Sequence, residues 1–220
     1  MKLNHIIFFT LLVSIILSNE ECQINGVKGF NFGMTIEETL NNTQVTFSTI
    51  DELIKKYSDI ESESDIRKIE KKSNMCIRCV HETTFMNKSA RGSLQFSDKG
   101  LYGIIYTLSL NTTNDTKYIN TYFEIKSALT KKYGKPKSNE FLEYPYKDDF
   151  PSGDHAGQAI SLGKGKYHSE FNCDSEKEDQ PYINLILSGD NRKISLMLAY
   201  VNQNYNISKE EQEKKTLDEF

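Results

Sequence analysis

The order of amphipathic segments predicts an α+β protein, with two weakly duplicated helix–three-strand units forming one antiparallel sheet and helices packed on one face. Three observations carry this reading. A six-residue block recurs, Glu52-Leu-Ile-Lys-Lys-Tyr57 and Ala128-Leu-Thr-Lys-Lys-Tyr133, with four of six positions identical. Each copy closes a helical segment and precedes strands, at about 76–86, 91–97 and 101–110 in the first half and about 167–173, 182–188 and 192–201 in the second. Each half ends on a hairpin signal, Phe96-Ser-Asp-Lys-Gly-Leu101 and Leu187-Ser-Gly-Asp-Asn-Arg-Lys-Ile194.

The strands rest on period two. Tyr102, Ile104, Tyr106, Leu108 and Leu110 share one face of a strand; Ile194, Leu196, Leu198 and Tyr200 share another, with Ser195 and Ala199 opposite. The long helix rests on the stripe Tyr118, Tyr122, Ile125, Leu129, Tyr133, with Lys126, Lys131 and Lys132 elsewhere on its surface. Asp115 or Thr116 caps its start, Gly134 stops it and Pro136 bars continuation. Thr35 with Glu38, and Thr49 with Glu52, read as capping boxes at two further helix starts.

The chain begins with Lys2 and His5, then an apolar run from Ile6 to Leu17, then Ser18, Asn19 and Glu20. This is the order of a secretory signal, too short for a bilayer span. Cleavage near Ser18 makes 1–18 a signal peptide, 19–202 a single domain with repeats at about 30–115 and 116–202, and 203–220 a charged tail. The expected location is secreted or periplasmic. Asn19, Glu20 and Glu21 precede Cys22 where a lipid-attachment box needs small residues. The net charge of −4, with both signs mixed, argues against a general nucleic-acid binder. Asn41, Asn87, Asn111, Asn114 and Asn206 head Asn-x-Ser/Thr sequons, a number such a composition produces by chance.

Four cysteines, Cys22, Cys76, Cys79 and Cys173, remain in the mature chain, and an even count in an exported protein predicts two disulfides. The β-branched surroundings of Cys76 and Cys79 place them on a strand, where residues three apart point to opposite faces. That favours long-range pairs joining Cys22 and Cys173 to the 76–79 strand over a redox-active Cys-x-x-Cys.

Candidate chemistry is sparse. His81-Glu82 opens like a zinc-protease motif, but Phe85 stands where its second histidine belongs. Gly163-Lys-Gly165 lacks the third glycine of a phosphate loop, and the acidic run Asp174, Glu176, Glu178, Asp179 reads as a solvated connection. Asp148, Asp149, Asp154 and His155 share one Pro/Gly-rich loop and carry the rival reading, a secreted hydrolase or metal-dependent enzyme, although the spacing is not that of an EF-hand. Ser152 with Asp154 and His155 is too closely spaced for a catalytic triad. The favoured reading is a non-enzymatic protein with no cofactor. It binds a macromolecule, most simply a protein, through its sheet face and the stretch 134–166, read as irregular. The candidate contact residues are Phe141, Tyr144, Tyr146, Phe150, Asp154 and His155. On this view, excising 138–165 leaves the fold intact.

Phe30-Asn-Phe-Gly-Met-Thr-Ile-Glu-Glu38 resembles the opening of small exported bacterial α+β modules, as does the helix ending Leu129-Thr-Lys-Lys-Tyr-Gly-Lys-Pro136. The families resembled are the SmpA/OmlA outer-membrane assembly lipoproteins and the β-lactamase inhibitor protein. The resemblance covers two short motifs and the element order, and it implies binding to proteins or envelope components rather than catalysis.

Overall fold

A computed structural model describes residues 22–56, 62–73, 76–110, 115–153, 155–173 and 180–206. The segment expected to be a signal, Asp154, the acidic run after Cys173 and residues 207–220 lie outside the described residues.

A two-strand ribbon, β1 (Gly26–Val27) and β2 (Phe30–Asn31), opens the fold and leads into α1 (Ile36–Leu40). Then follow β3 (Thr46–Phe47), α2 (Ile50–Lys56), α3 (Glu63–Ser73), β4 (His81–Phe85), β5 (Lys88–Ser97) and β6 (Gly100–Leu108). The second half comprises α4 (Asp115–Tyr133), β7 (Lys137–Leu142), α5 (Ala156–Ser161), β8 (Gly165–Asn172), β9 (Tyr182–Asp190) and β10 (Lys193–Val201). Strands β3 to β10 form one eight-stranded sheet in the order β3-β4-β5-β6-β10-β9-β8-β7, with every paired neighbour antiparallel. Two meanders, β4–β6 and β8–β10, thus meet at their last strands.

Helix α4 makes this order possible. Its 19 residues span about 28 Å at the α-helical rise, enough to carry the chain from β6 across three strands to the far edge. Ile119, Tyr122, Ile125, Leu129 and Tyr133 are buried along it, while Tyr118 is only half-buried. Gly134 ends the helix in the left-handed region at φ 84°, its N–H donating to the Thr130 carbonyl. Both capping boxes form: the Thr35 N–H donates to Glu38 Oε2 at 2.8 Å, and the Thr49 N–H to Glu52 Oε2 at 2.8 Å. The β9–β10 hairpin turns on Asn191 and Arg192, both at positive φ as the tight mirror-image turn requires.

Leu196 and Leu198, with Leu185, Leu187, Ile104 and Tyr106 on neighbouring strands, fill one side of the sheet and merge with the α4 stripe into the main core. One alternation differs from expectation. The register shifts at Gln95/Phe96, so Phe96 pairs with Leu101 while Gln95 pairs with Gly103. This bulge makes Tyr102 the extra residue, and Leu101 takes its core position.

The disulfides are Cys22–Cys173 and Cys76–Cys79, which corrects the expected connectivity. The reason is local backbone. Ile77–Cys79 is a 3-10 turn, not strand, and the Cys79 N–H donates to the Cys76 carbonyl. That turn brings the two Cα atoms to 5.1 Å, within bridging range, and the strand begins only at His81.

The stretch 134–166 is not irregular either. It holds edge strand β7, a 3-10 turn at Tyr146–Asp149, and α5, whose Ala156, Gly157, Ala159, Ile160 and Ser161 are buried. Two of its three core-facing positions, Ser138 and Glu140, are polar and only Leu142 is apolar, so the strand lacks a clear apolar alternation. Glu140 Oε1 accepts from Lys126 Nζ at 2.6 Å and from the Tyr122 hydroxyl at 2.7 Å, and Ser138 lies 3.0 Å from Ser169. Lys126, expected on the surface, is therefore mostly covered and clamps β7 to α4. Six residues of α5 are too few to display a helical period.

Candidate functional site

Strand parity divides the sheet into a covered face and one that is open among the described residues. Residues paired across neighbouring strands lie on the same face. From β5 through β8, Ser93 pairs with Ile105, Ile105 with Ala199, Ala199 with Asn184, and Asn184 with Glu170. One pair further along, Arg91, Thr107, Met197, Ile186 and His168 make a second cross-strand row. Val201 joins the face between Gly103 and Tyr182.

The centre of this face is apolar. Ile105, Ile186, Met197 and Val201 are half-buried, and Ala199 is buried among them, yet none belongs to either hydrophobic cluster of the core. Arg91, Ser93 and Gln95 flank them on one side; Lys166, His168 and Glu170 flank them on the other. His168 Nε2 lies 2.8 Å from Asn184 Oδ1, which fixes two of the polar side chains beside the patch. An apolar centre inside a polar and charged margin is the composition of a contact surface.

The candidate contact residues fall into two groups. Phe141 pairs with Lys166 on the open-face parity of β7 and is 41 % exposed; Tyr144, just beyond the strand, is 89 % exposed. Phe141 rims the open face at its edge strand. Tyr146 packs against the core, and Phe150, 41 % exposed like Phe141, sets its ring edge-on to Tyr167 at 5.7 Å, so both tie their loop to the fold. The Tyr167 hydroxyl donates to the Pro151 carbonyl and tightens the same anchor. Burial pushes the Tyr167 phenol up to about 12, with the Glu140 carboxylate adding to the shift.

His155 is exposed, and its backbone N–H donates to Asp149 Oδ1 at 3.4 Å. Asp154 lies outside the described residues. Among the described residues, no three His, Cys, Asp or Glu side chains converge as a metal site would require. His81 sits inside the core, its ring against Phe30, Phe47 and Tyr106, with centroids 5.1, 5.7 and 5.8 Å away. No described helix is long and apolar enough to cross a membrane.

The apolar centre of the open face left a trace in the sequence. Leu185-Ile-Leu187 and Leu196-Met-Leu-Ala199 are continuous apolar runs, which signal apolar side chains on both faces of a strand. Reading only alternation hides this. Comparison of the chain with family models, curated proteins and solved structures returns no match.

Proposed function

We propose that this chain is an exported, non-catalytic protein that binds a protein partner across the open face of its sheet, with Phe141 and Tyr144 gripping at the β7 rim. One observation carries the reading: α4 and α5 pack on the core face of the sheet, while the other face keeps a connected patch of Ile105, Ile186, Met197, Ala199 and Val201 outside the core. Burying such a patch against a partner removes apolar surface from water, and the charged margin gives the contact its specificity. Export is supported by two disulfides that pair all four cysteines, a state that persists outside the reducing cytosol. The meeting of two three-strand meanders at β6 and β10 supports reading the chain as two repeats.

The test is capture of partners from the native extracellular or envelope fraction by the wild-type chain and by Ile186→Asp with Met197→Glu. Partner capture falls at least tenfold in the variant while its melting temperature stays near wild type. Undiminished capture by a folded variant overturns the reading.

A further inference from the structure

A groove of about 470 Å³ runs along α4 on the covered side of the sheet, away from the open face. Tyr200 of β10 reaches it from the sheet, Ile125 and Leu129 line it from α4, and Phe85 lines it from the end of β4. Lys28, in the turn between β1 and β2, and Lys132, in the last turn of α4, line it as well. No described residue lining it carries a carboxylate. Glu124, one turn before Ala128 on α4, is held by Lys88 at 2.9 Å. In a chain of net charge −4, an apolar groove lined by two cations and no acid is a local reversal of charge.

We propose that this groove binds a single-chain amphiphile with an anionic head, of the long-chain carboxylate class. The acyl chain lies against Val27, Phe85, Met86 and Ala128, the half-buried and exposed part of the lining, where each methylene leaves water. The carboxylate pairs with the ammonium groups of Lys28 and Lys132, which donate charge-assisted hydrogen bonds. A volume of about 470 Å³ suits a small amphiphile and not a folded partner. Burial raises the Tyr200 phenol, with the Tyr133 and Tyr106 phenols adding to it, so the Tyr200 hydroxyl stays neutral and places no negative charge against the ligand. This proposal is independent of the open-face reading, because the two surfaces lie on opposite sides of the sheet.

The test is titration of the intact, disulfide-bonded chain with cis-parinarate, whose emission rises on entering an apolar site; the chain has no tryptophan to interfere. Dodecanoate, dodecyltrimethylammonium and dodecyl maltoside then compete below their micellar concentrations. The expected result is saturable 1:1 binding, displaced by dodecanoate at least tenfold better than by the cationic or neutral amphiphile. Ala128→Phe, at an exposed position lining the groove, weakens parinarate binding at least tenfold, and Lys28→Glu with Lys132→Glu removes the preference for the anionic head. Should Ala128→Phe unfold, Met86→Glu, 43 % exposed at the same groove, replaces it. Ile186→Asp on the open face leaves parinarate binding unchanged. Absence of saturable binding, or binding indifferent to both the groove substitution and the head group, overturns the proposal.

Discussion

His81 is the residue whose chemistry is most constrained by its surroundings. Its Nδ1 lies 2.9 Å from the Cys79 carbonyl, and since a carbonyl only accepts, Nδ1 carries the proton. Nε2 is buried and has no partner among the described residues. The ring lies over Gly92, where any Cβ would sit 2.2 Å from Nε2, so only glycine fits beneath it. Burial holds the imidazole below its ordinary value of 6.5, Lys28 adds to this, and the Cys79 carbonyl and Glu82 oppose it. The unfolded chain therefore takes up a proton near pH 6.5, where the folded chain still refuses it. Stability falls as pH drops below about 6.5, by up to about 1.4 kcal/mol per pH unit, and levels off below the folded-state pKa. Urea unfolding between pH 7.5 and 5 checks this. The slope shrinks in His81→Leu; an unchanged slope assigns the effect to other groups.

At the scale of elements, the two disulfides act on very different spans. Cys22–Cys173 ties the start of the described chain to the end of β8 across a separation of 151 residues, whereas Cys76–Cys79 closes a turn across three. In the chain-entropy model the first stabilises by about 5 kcal/mol and the second by about 2 kcal/mol. Replacing Cys22 and Cys173 together by Ser thus lowers the denaturation midpoint far more than replacing Cys76 and Cys79, provided the buried turn keeps its packing. Chemical denaturation of both double variants measures the difference, and equal losses refute the entropic ranking. The β7 edge depends on a different device. Glu140 is held by Lys126 and Tyr122 of α4, so polar contacts fix helix and edge strand to one another beside the buried Leu142.

For the whole molecule, one hydrophobic cluster runs from Ile24 and Phe30 through both meanders to Tyr200, and it includes Leu142, Ala156, Ala159 and Ile160. The segment between α4 and β8 is thereby part of the core. Excising 138–165 removes edge strand β7 and the buried helix α5, and it exposes β8 as a new edge. We expect such a deletion to abolish the cooperative thermal transition, the reverse of what an ornamental loop predicts. A calorimetric trace with a sharp transition within a few degrees of wild type would show that the core tolerates the loss.

The α+β class, the long helix, both capping boxes and the two hairpins were legible in the sequence, because each rests on local periodicity or on turn and cap chemistry that neighbouring residues supply. The stripe Tyr122, Ile125, Leu129, Tyr133 and the alternation of β10 leave little freedom about which face is buried. Local sequence marks only the Phe141-Leu142 end of β7, since Ser138 and Glu140 are satisfied only by α4 and β8, and the strand-like composition around Cys76 does not reveal its 3-10 turn. The candidate site was legible only in part. Phe141 and Tyr144 stood out as aromatics among charges, but their separation from the anchors Tyr146 and Phe150 needed the sheet register. The joining of Ile105, Ile186, Met197 and Ala199 into one surface depends on pairing between residues up to about ninety positions apart. Local sequence fixes which segments can be strands; which strands become neighbours is decided by how α4 crosses the sheet, and that is a property of the tertiary structure alone.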